Sequence, residues 1–186
     1  MNTRIEKDFL FQTGLHFDGK FHINVYEVSL SMLVETNSNW EQNVAMDRIT
    51  YFLREVIQNS VLVNFTDHEA IQKYKAAGMH VCEIPEDPFD QIFGMTLLLK
   101  LNSIMENRLK ITDMVLGSSL SDGVRYTIVN EAAENLLSGD FWWSKPCPGT
   151  CNQVASLDGD NIVRLFDDSD WVSLGLTWKE RSQDNY

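Results

Sequence analysis

The chain has 186 residues, with 27 Asp and Glu against 15 Lys and Arg and a formal net charge of −12. That length suits one ordinary domain with room for an appendage, and 44% hydrophobic residues suffice for a core. The acidic balance argues against a nucleic-acid binder and against a polybasic grip on anionic lipid, because both need clustered Lys and Arg.

The most apolar stretch, 95–101, contains Lys100 and falls far short of a membrane span of about 20 residues. The first residues, Met-Asn-Thr-Arg-Ile-Glu-Lys-Asp-Phe, lack the apolar core of a signal peptide. Three cysteines, an odd number, do not make a disulfide framework. These features predict a soluble, cytoplasmic protein.

Residues 5–11 and 21–34 alternate apolar and polar on either side of Asp18-Gly19, a strong signal for an antiparallel hairpin. Apolar residues run through Phe21, Ile23 and Val25 and then through Val28, Leu30, Met32 and Val34. That is period two with a phase slip near Tyr26-Glu27, where a bulge is expected. The period then changes: Val44, Ile49, Phe52, Leu53, Val56 and Ile57 form one face of a helix over roughly 41–60. A second helix is expected from His68 to Ala77, capped by Asp67, paired through Glu69 and Lys73, and ended by Gly78.

Residues 80–84 read as a short extended segment. Asp87-Pro88 opens a third helix with Asp90 in its first turn, apolar on more than one face and hence buried on two sides. Two strands follow, 111–118 and 124–129, joined through Ser121-Asp-Gly123. The predicted fold class is α+β over residues 1–130, with antiparallel β-hairpins flanking a helical block in the order ββααββ. Residues 131–186 hold four of the five Trp and several Pro and Gly breaks. They read as an irregular, Trp-rich extension folded back on the domain, its aromatics covering an apolar surface or docking a protein partner.

Several clusters bear on chemistry. His22 and Asn24 are i,i+2 on one strand and share a face, with His16 and Asp18 across and within the turn, so the four are candidate zinc ligands. The alternative is a set of polar residues on a solvated strand face. Cys147 and Cys151 form a CxxxC with no second pair to complete a zinc knuckle, and read as free thiols. Asp158-Gly-Asp-Asn161 and Asp167-Asp-Ser-Asp170 lack the spacing of a calcium loop and read as turns and caps, with Asp170 preceding Trp171. Asp67-His68 is a candidate acid–base dyad, although helix capping already accounts for Asp67. No nucleophile elbow, P-loop or dinucleotide fingerprint is present.

With His16 ahead of Phe21-His-Ile-Asn24, and hairpins on either side of a helical block, residues 8–130 resemble the tunnelling fold, in the branch of the 6-pyruvoyl- and 6-carboxy-tetrahydropterin synthases. In that family a His-x-His on the second strand and a further His on the first hold zinc, and Asn24 stands where one of these histidines belongs. The resemblance also matches Met46-Asp47 to a pair at the start of the long helix, Pro88 to a proline opening the next, and Val124-Arg-Tyr126 to a Tyr-containing last strand. The glutamate that anchors the pterin or purine ring falls at Gly117 or Ser118. The loop that bears the family's catalytic Cys is reduced to Phe17-Asp-Gly-Lys20, and its Asp-His pair falls at 60–64, where neither residue occurs, with Asp67-His68 close behind.

The resemblance therefore implies the scaffold without the synthase chemistry: a homo-oligomeric, non-catalytic protein acting by assembly and by binding a protein or small ligand, with no cofactor. The alternatives are a divergent zinc-dependent synthase or lyase of pterin or purine type, and an accessory protein on an unrelated α+β fold. Within the charge balance, residues 132–186 carry nine acidic against four basic side chains. An acidic, aromatic appendage points to a protein partner.

Overall fold

Asp18 and Gly19 sit at φ of +51° and +70°, a pair of left-handed residues that makes a tight hairpin turn. The computed structural model, which describes residues 3–130, 133–134, 137, 141–150 and 170–179, accordingly opens on two long antiparallel strands, β1 (Arg4–Phe17) and β2 (Lys20–Val34). Their register runs unbroken from Phe17 opposite Lys20 to Arg4 opposite Leu33. The bulge expected at Tyr26-Glu27 is absent from this pairing. Asn24, Tyr26, Val28, Leu30 and Met32 all face the core, whereas Phe21 and Ile23 lie on the opposite, exposed face. The change of apolar phase records a change of face, and the irregularity sits at Ser31/Met32, against another strand.

The next segment differs from one helix over 41–60. Ser38 accepts a hydrogen bond from the Glu41 amide and starts α1 (Asn39–Tyr51), which widens into a π-helical turn over Phe52–Ile57. Phe52, Leu53, Val56 and Ile57 are all buried there, because the wider turn spreads their side chains over the core. Met46-Asp47 therefore lies well inside α1 and not at its start. The chain then forms a strand between the two expected helices, where none was assigned from the sequence: β3 (Val61–Asn64), parallel to β1. Asp67 caps α2 (His68–Ala76) by accepting from the Ala70 amide at 3.0 Å, and Gly78 follows at φ +75°.

The strand β4 (Val81–Ile84) pairs parallel to β3. The third helix, α3 (Asp90–Met105), begins two residues later than expected, with Phe89 as its N-cap and Pro88 outside it. Gly94 lies against β6, where a Cβ would meet Ile128 Cδ1 at 2.0 Å, so helix and sheet approach closely there. Antiparallel β5 (Leu109–Ser118) and β6 (Arg125–Val129) complete one sheet in the order β4-β3-β1-β2-β5-β6. The sheet is therefore mixed. The expected hairpins form its four antiparallel strands, and the parallel pair β3–β4 is added at one edge.

Alternation along β3 and β4 separates two cores. Leu62, Cys82 and Ile84 join the main cluster with α1 and α3, while Val61, Val63 and Val81 pack with Ala70, Ile71 and Tyr74 of α2. The sheet thus carries α1 and α3 on one face and α2 on part of the other. No helix among the described residues is long and apolar enough to cross a membrane.

The described parts of the C-terminal extension join the main core. Trp142 and Trp143 lie on a 3₁₀ turn (Trp142–Ser144), and they and Trp171 are buried. These indoles are spent on the chain's own interior. Lys100 of α3 is fully buried, and its ammonium donates to the carbonyls of Trp142, Lys145 and Cys147 at 3.0, 2.8 and 2.8 Å. Lys100→Met would strip one buried and two part-buried carbonyls of their donor and is expected to cost about 2–4 kcal/mol. Urea denaturation should show the midpoint falling at unchanged slope.

Candidate functional site at the hairpin end of the sheet

The β1–β2 register decides which hairpin side chains can meet. Leu15 stands opposite His22, Thr13 opposite Asn24, and His16 opposite Phe21. Paired residues share a face and successive residues alternate, so His22 and Asn24 lie on the α3 face while His16 lies on the α2 face. Asp18 is in the turn. The four candidate ligands do not converge, and no group of three or more His, Cys, Asp or Glu among the described residues is placed to hold a metal. One imidazole and one amide on a common face do not fit zinc.

In place of a metal centre that face carries a belt of neutral hydrogen-bonding groups. Asn24 Oδ1 accepts from Ser119 Oγ at 2.9 Å and from the Leu120 amide at 3.2 Å, which leaves its Nδ2 as a donor. The hydroxyl of Thr13 and Ser60 Oγ are buried with no partner among the described residues, while the Tyr26 hydroxyl is buried beside the Asn24 amide and the Asp90 carboxylate. Thr13 lies between Asn24 and Ser60, because Ser60 O accepts from the Gly14 amide at 2.7 Å. Burial pushes the Tyr26 phenol well above its ordinary pKa, and the Asp90 carboxylate adds to the rise.

Gly117 and Ser118 divide between the two faces. Ser118 Oγ donates to Asp90 Oδ2 at 2.8 Å, toward α3. Gly117, without a side chain, lines an open groove of about 230 Å³ on the other face, flanked by Leu10, Val25 and the 2.6 Å Glu27–Arg125 ion pair.

Asp67 has a histidine partner, and it is His16. Besides capping α2, Asp67 places Oδ2 at 3.3 Å from His16 Nε2, and His16 Nδ1 lies 2.9 Å from the Tyr74 hydroxyl. His68 is exposed to solvent. A carboxylate, an imidazole and a phenol thus form a chain that staples α2 to β1, roofed by the Phe21 ring 5.9 Å from Tyr74. Both ring nitrogens of His16 are engaged, which suits holding elements together more than proton transfer. Burial and the Asp67 charge raise the Tyr74 pKa. The alternation of β1 placed His16 on this face, but its meeting with Tyr74 depends on α2 crossing there, which local sequence does not state.

Cys82 is buried and its thiol pKa is pushed up by burial. Cys147 Sγ lies 3.7 Å from Lys100 Nζ. Cys151, residues 158–161 and residues 167–169 lie outside the described residues, and a short helix, α4, spans Asp170–Ser173.

No family model and no curated protein matches the sequence. Among solved structures the chain is similar to an uncharacterized protein from Wolinella succinogenes, at 11% identity and TM-score 0.49, covering 70% of this chain and 99% of that one. It is also similar to 6-pyruvoyl tetrahydropterin synthase from Plasmodium vivax, at 11% identity and TM-score 0.43, covering 69% and 97%. A catalytic-residue mutant of the Plasmodium vivax synthase gives 12% identity, TM-score 0.42, and coverage of 69% and 96%. At 11–12% identity these are likenesses of chain path alone.

Removing the His16 staple is expected to cost about 1–3 kcal/mol in His16→Ala and less in His16→Gln. Unfolded Tyr26 and Tyr74 lose their protons near pH 10 while the folded chain retains them, so stability is complete below about pH 10 and falls above it. Thermal melts from pH 7 to 11 should show that fall, and Tyr74→Phe should make it shallower.

Proposed function

We propose that this chain works by assembling with copies of itself and by binding, without turnover, on a tunnelling-fold scaffold. The observation that carries this reading is a set of exposed aromatic rings around one end of the sheet. Phe17, Phe21, Phe65 and Phe89 are 37%, 44%, 38% and 50% exposed. Phe17 stacks edge-on against Phe89 at 5.1 Å, so part of the set is already a contiguous apolar surface. Rings of this size left in water mark a contact surface. Closed symmetry with identical copies would cover it without exposing a new face.

The belt beneath supports binding over catalysis. Its groups are amides and hydroxyls beside the Asp90 carboxylate, suited to hydrogen-bonding a small polar ligand.

Light scattering at micromolar concentration should give an integral multiple of the 21.4 kDa chain mass. Phe17→Glu with Phe89→Glu should shift it to the single-chain mass with an unchanged far-UV spectrum. A wild-type protein that runs as a clean single chain sinks the assembly reading. Protein purified without a histidine tag should hold less than about a tenth of an equivalent of zinc. Leu15→His with Asn24→His would set three imidazoles on one strand face and should raise zinc toward one per chain. Stoichiometric zinc in the wild type would restore the reading of a divergent zinc-dependent synthase or lyase.

A further inference from the structure

Residues 170–179 meet the domain around Arg48, and Trp171 in addition joins the main core, edge-on to Tyr51 at 5.9 Å and donating from Nε1 to Pro146 O at 2.5 Å. Arg48 of α1 is buried and donates through one terminal nitrogen to Ile104 O at 3.1 Å and Glu106 Oε1 at 2.9 Å. Glu106 stands just past α3 at φ +46°, a left-handed position that turns its carboxylate back toward α1. Arg108 lies 3.7 Å from Glu41, and Trp40 occupies the first turn of α1. Burial lowers the Arg48 pKa, and the Glu106 carboxylate opposes that shift.

Onto this surface the segment brings two indoles and two carbonyls. The Arg48 guanidinium lies between Trp171 and Trp178, 4.6 and 3.8 Å from their centroids, and Arg108 lies 4.5 Å over Trp178. Trp178 Nε1 donates to Glu106 Oε2 at 2.8 Å, using the carboxylate oxygen that Arg48 leaves open. Arg48 Nε donates to Leu176 O at 2.9 Å and Trp40 Nε1 to Thr177 O at 3.1 Å. The segment turns on itself through Leu176 N to Trp171 O at 2.8 Å, with Gly175 at φ +72°, which brings the two indoles to one side. Its helix is four residues long, and it pairs with no described strand.

We infer that Trp40, Arg48, Glu106 and Arg108 form a peptide-docking site for a Trp-x6-Trp segment, filled by Asp170–Lys179 of the same chain and open to that segment from a second copy. Everything recognised lies within ten residues, so the site reads a linear motif and not a folded surface. The chain's own segment holds the site through its high effective concentration. Copies brought side by side exchange segments at little cost, because the same hydrogen bonds and indole stacking form again between them. The inference does not rest on the aromatic end of the sheet, and its test does not need an oligomer.

The test uses full-length Trp171→Ala/Trp178→Ala protein and a fluorescently labelled peptide of sequence Asp170–Lys179, read by anisotropy. Saturable binding is expected, at least about tenfold weaker to the wild type, whose site is filled, and at least about tenfold weaker for a peptide carrying Trp178→Ala. No binding to a double variant that keeps the wild-type far-UV spectrum overturns the inference, as does equal binding of the two peptides. Amide hydrogen exchange of the wild type decides the matter even if the double variant fails to fold. Amides of 172–178 should exchange at least about a hundredfold faster than those buried in α3, by local release. Exchange of both only on global unfolding means that the segment is not separable and the inference is wrong.

Discussion

The Asp18-Gly19 turn sets the register on which the rest of the molecule depends. Because side chains alternate strictly along a strand, that one turn decides that Tyr26, Val28, Leu30 and Met32 meet α1 and α3 while Phe21 and Ile23 meet water. A slip by one residue would turn the main core outward. The same parity separates His16 from His22. It gives each histidine a different neighbourhood: one beside an amide and a leucine, the other between a carboxylate and a phenol.

Two solutions to burying polar atoms stand side by side. Lys100 is fully satisfied, with three carbonyls converging on one ammonium, and it behaves as a structural pin. In the belt of Thr13, Asn24, Tyr26 and Ser60, the Thr13 and Ser60 hydroxyls are buried with no partner among the described residues. Each such atom costs on the order of 1–3 kcal/mol.

Much of this was legible in the sequence, for definite reasons. Period-two runs around Asp-Gly identified both hairpins, and Asp67 with Gly78 bounded α2 closely, since caps and left-handed residues are local signals. β3 was not legible, because Val61, Leu62 and Val63 are buried on both faces and show no alternation to tell them from the end of a helix. The apparent slip at Tyr26 misled because an apolar exposed face looks the same as a core face in one dimension. The start of α3 moved because Pro88 shapes the approach to a helix that Phe89 caps. At the site, Asp67 was found but paired with the wrong histidine. Sequence neighbours such as His68 are conspicuous, whereas the His16–Asp67 and His16–Tyr74 contacts require α2 to cross β1.

The seat of Lys100 carries a consequence for the order of events as the chain is made. α3 leaves the ribosome more than forty residues before the last carbonyl that receives its ammonium, that of Cys147. Until then a cation faces an apolar interior beside Phe52 without the three carbonyls that later surround it. The strands and helices can associate in that interval, but the interior can dry out only once residues 142–147 arrive. The extension is thus the closing element of the core, since it brings the three carbonyls that receive the Lys100 ammonium.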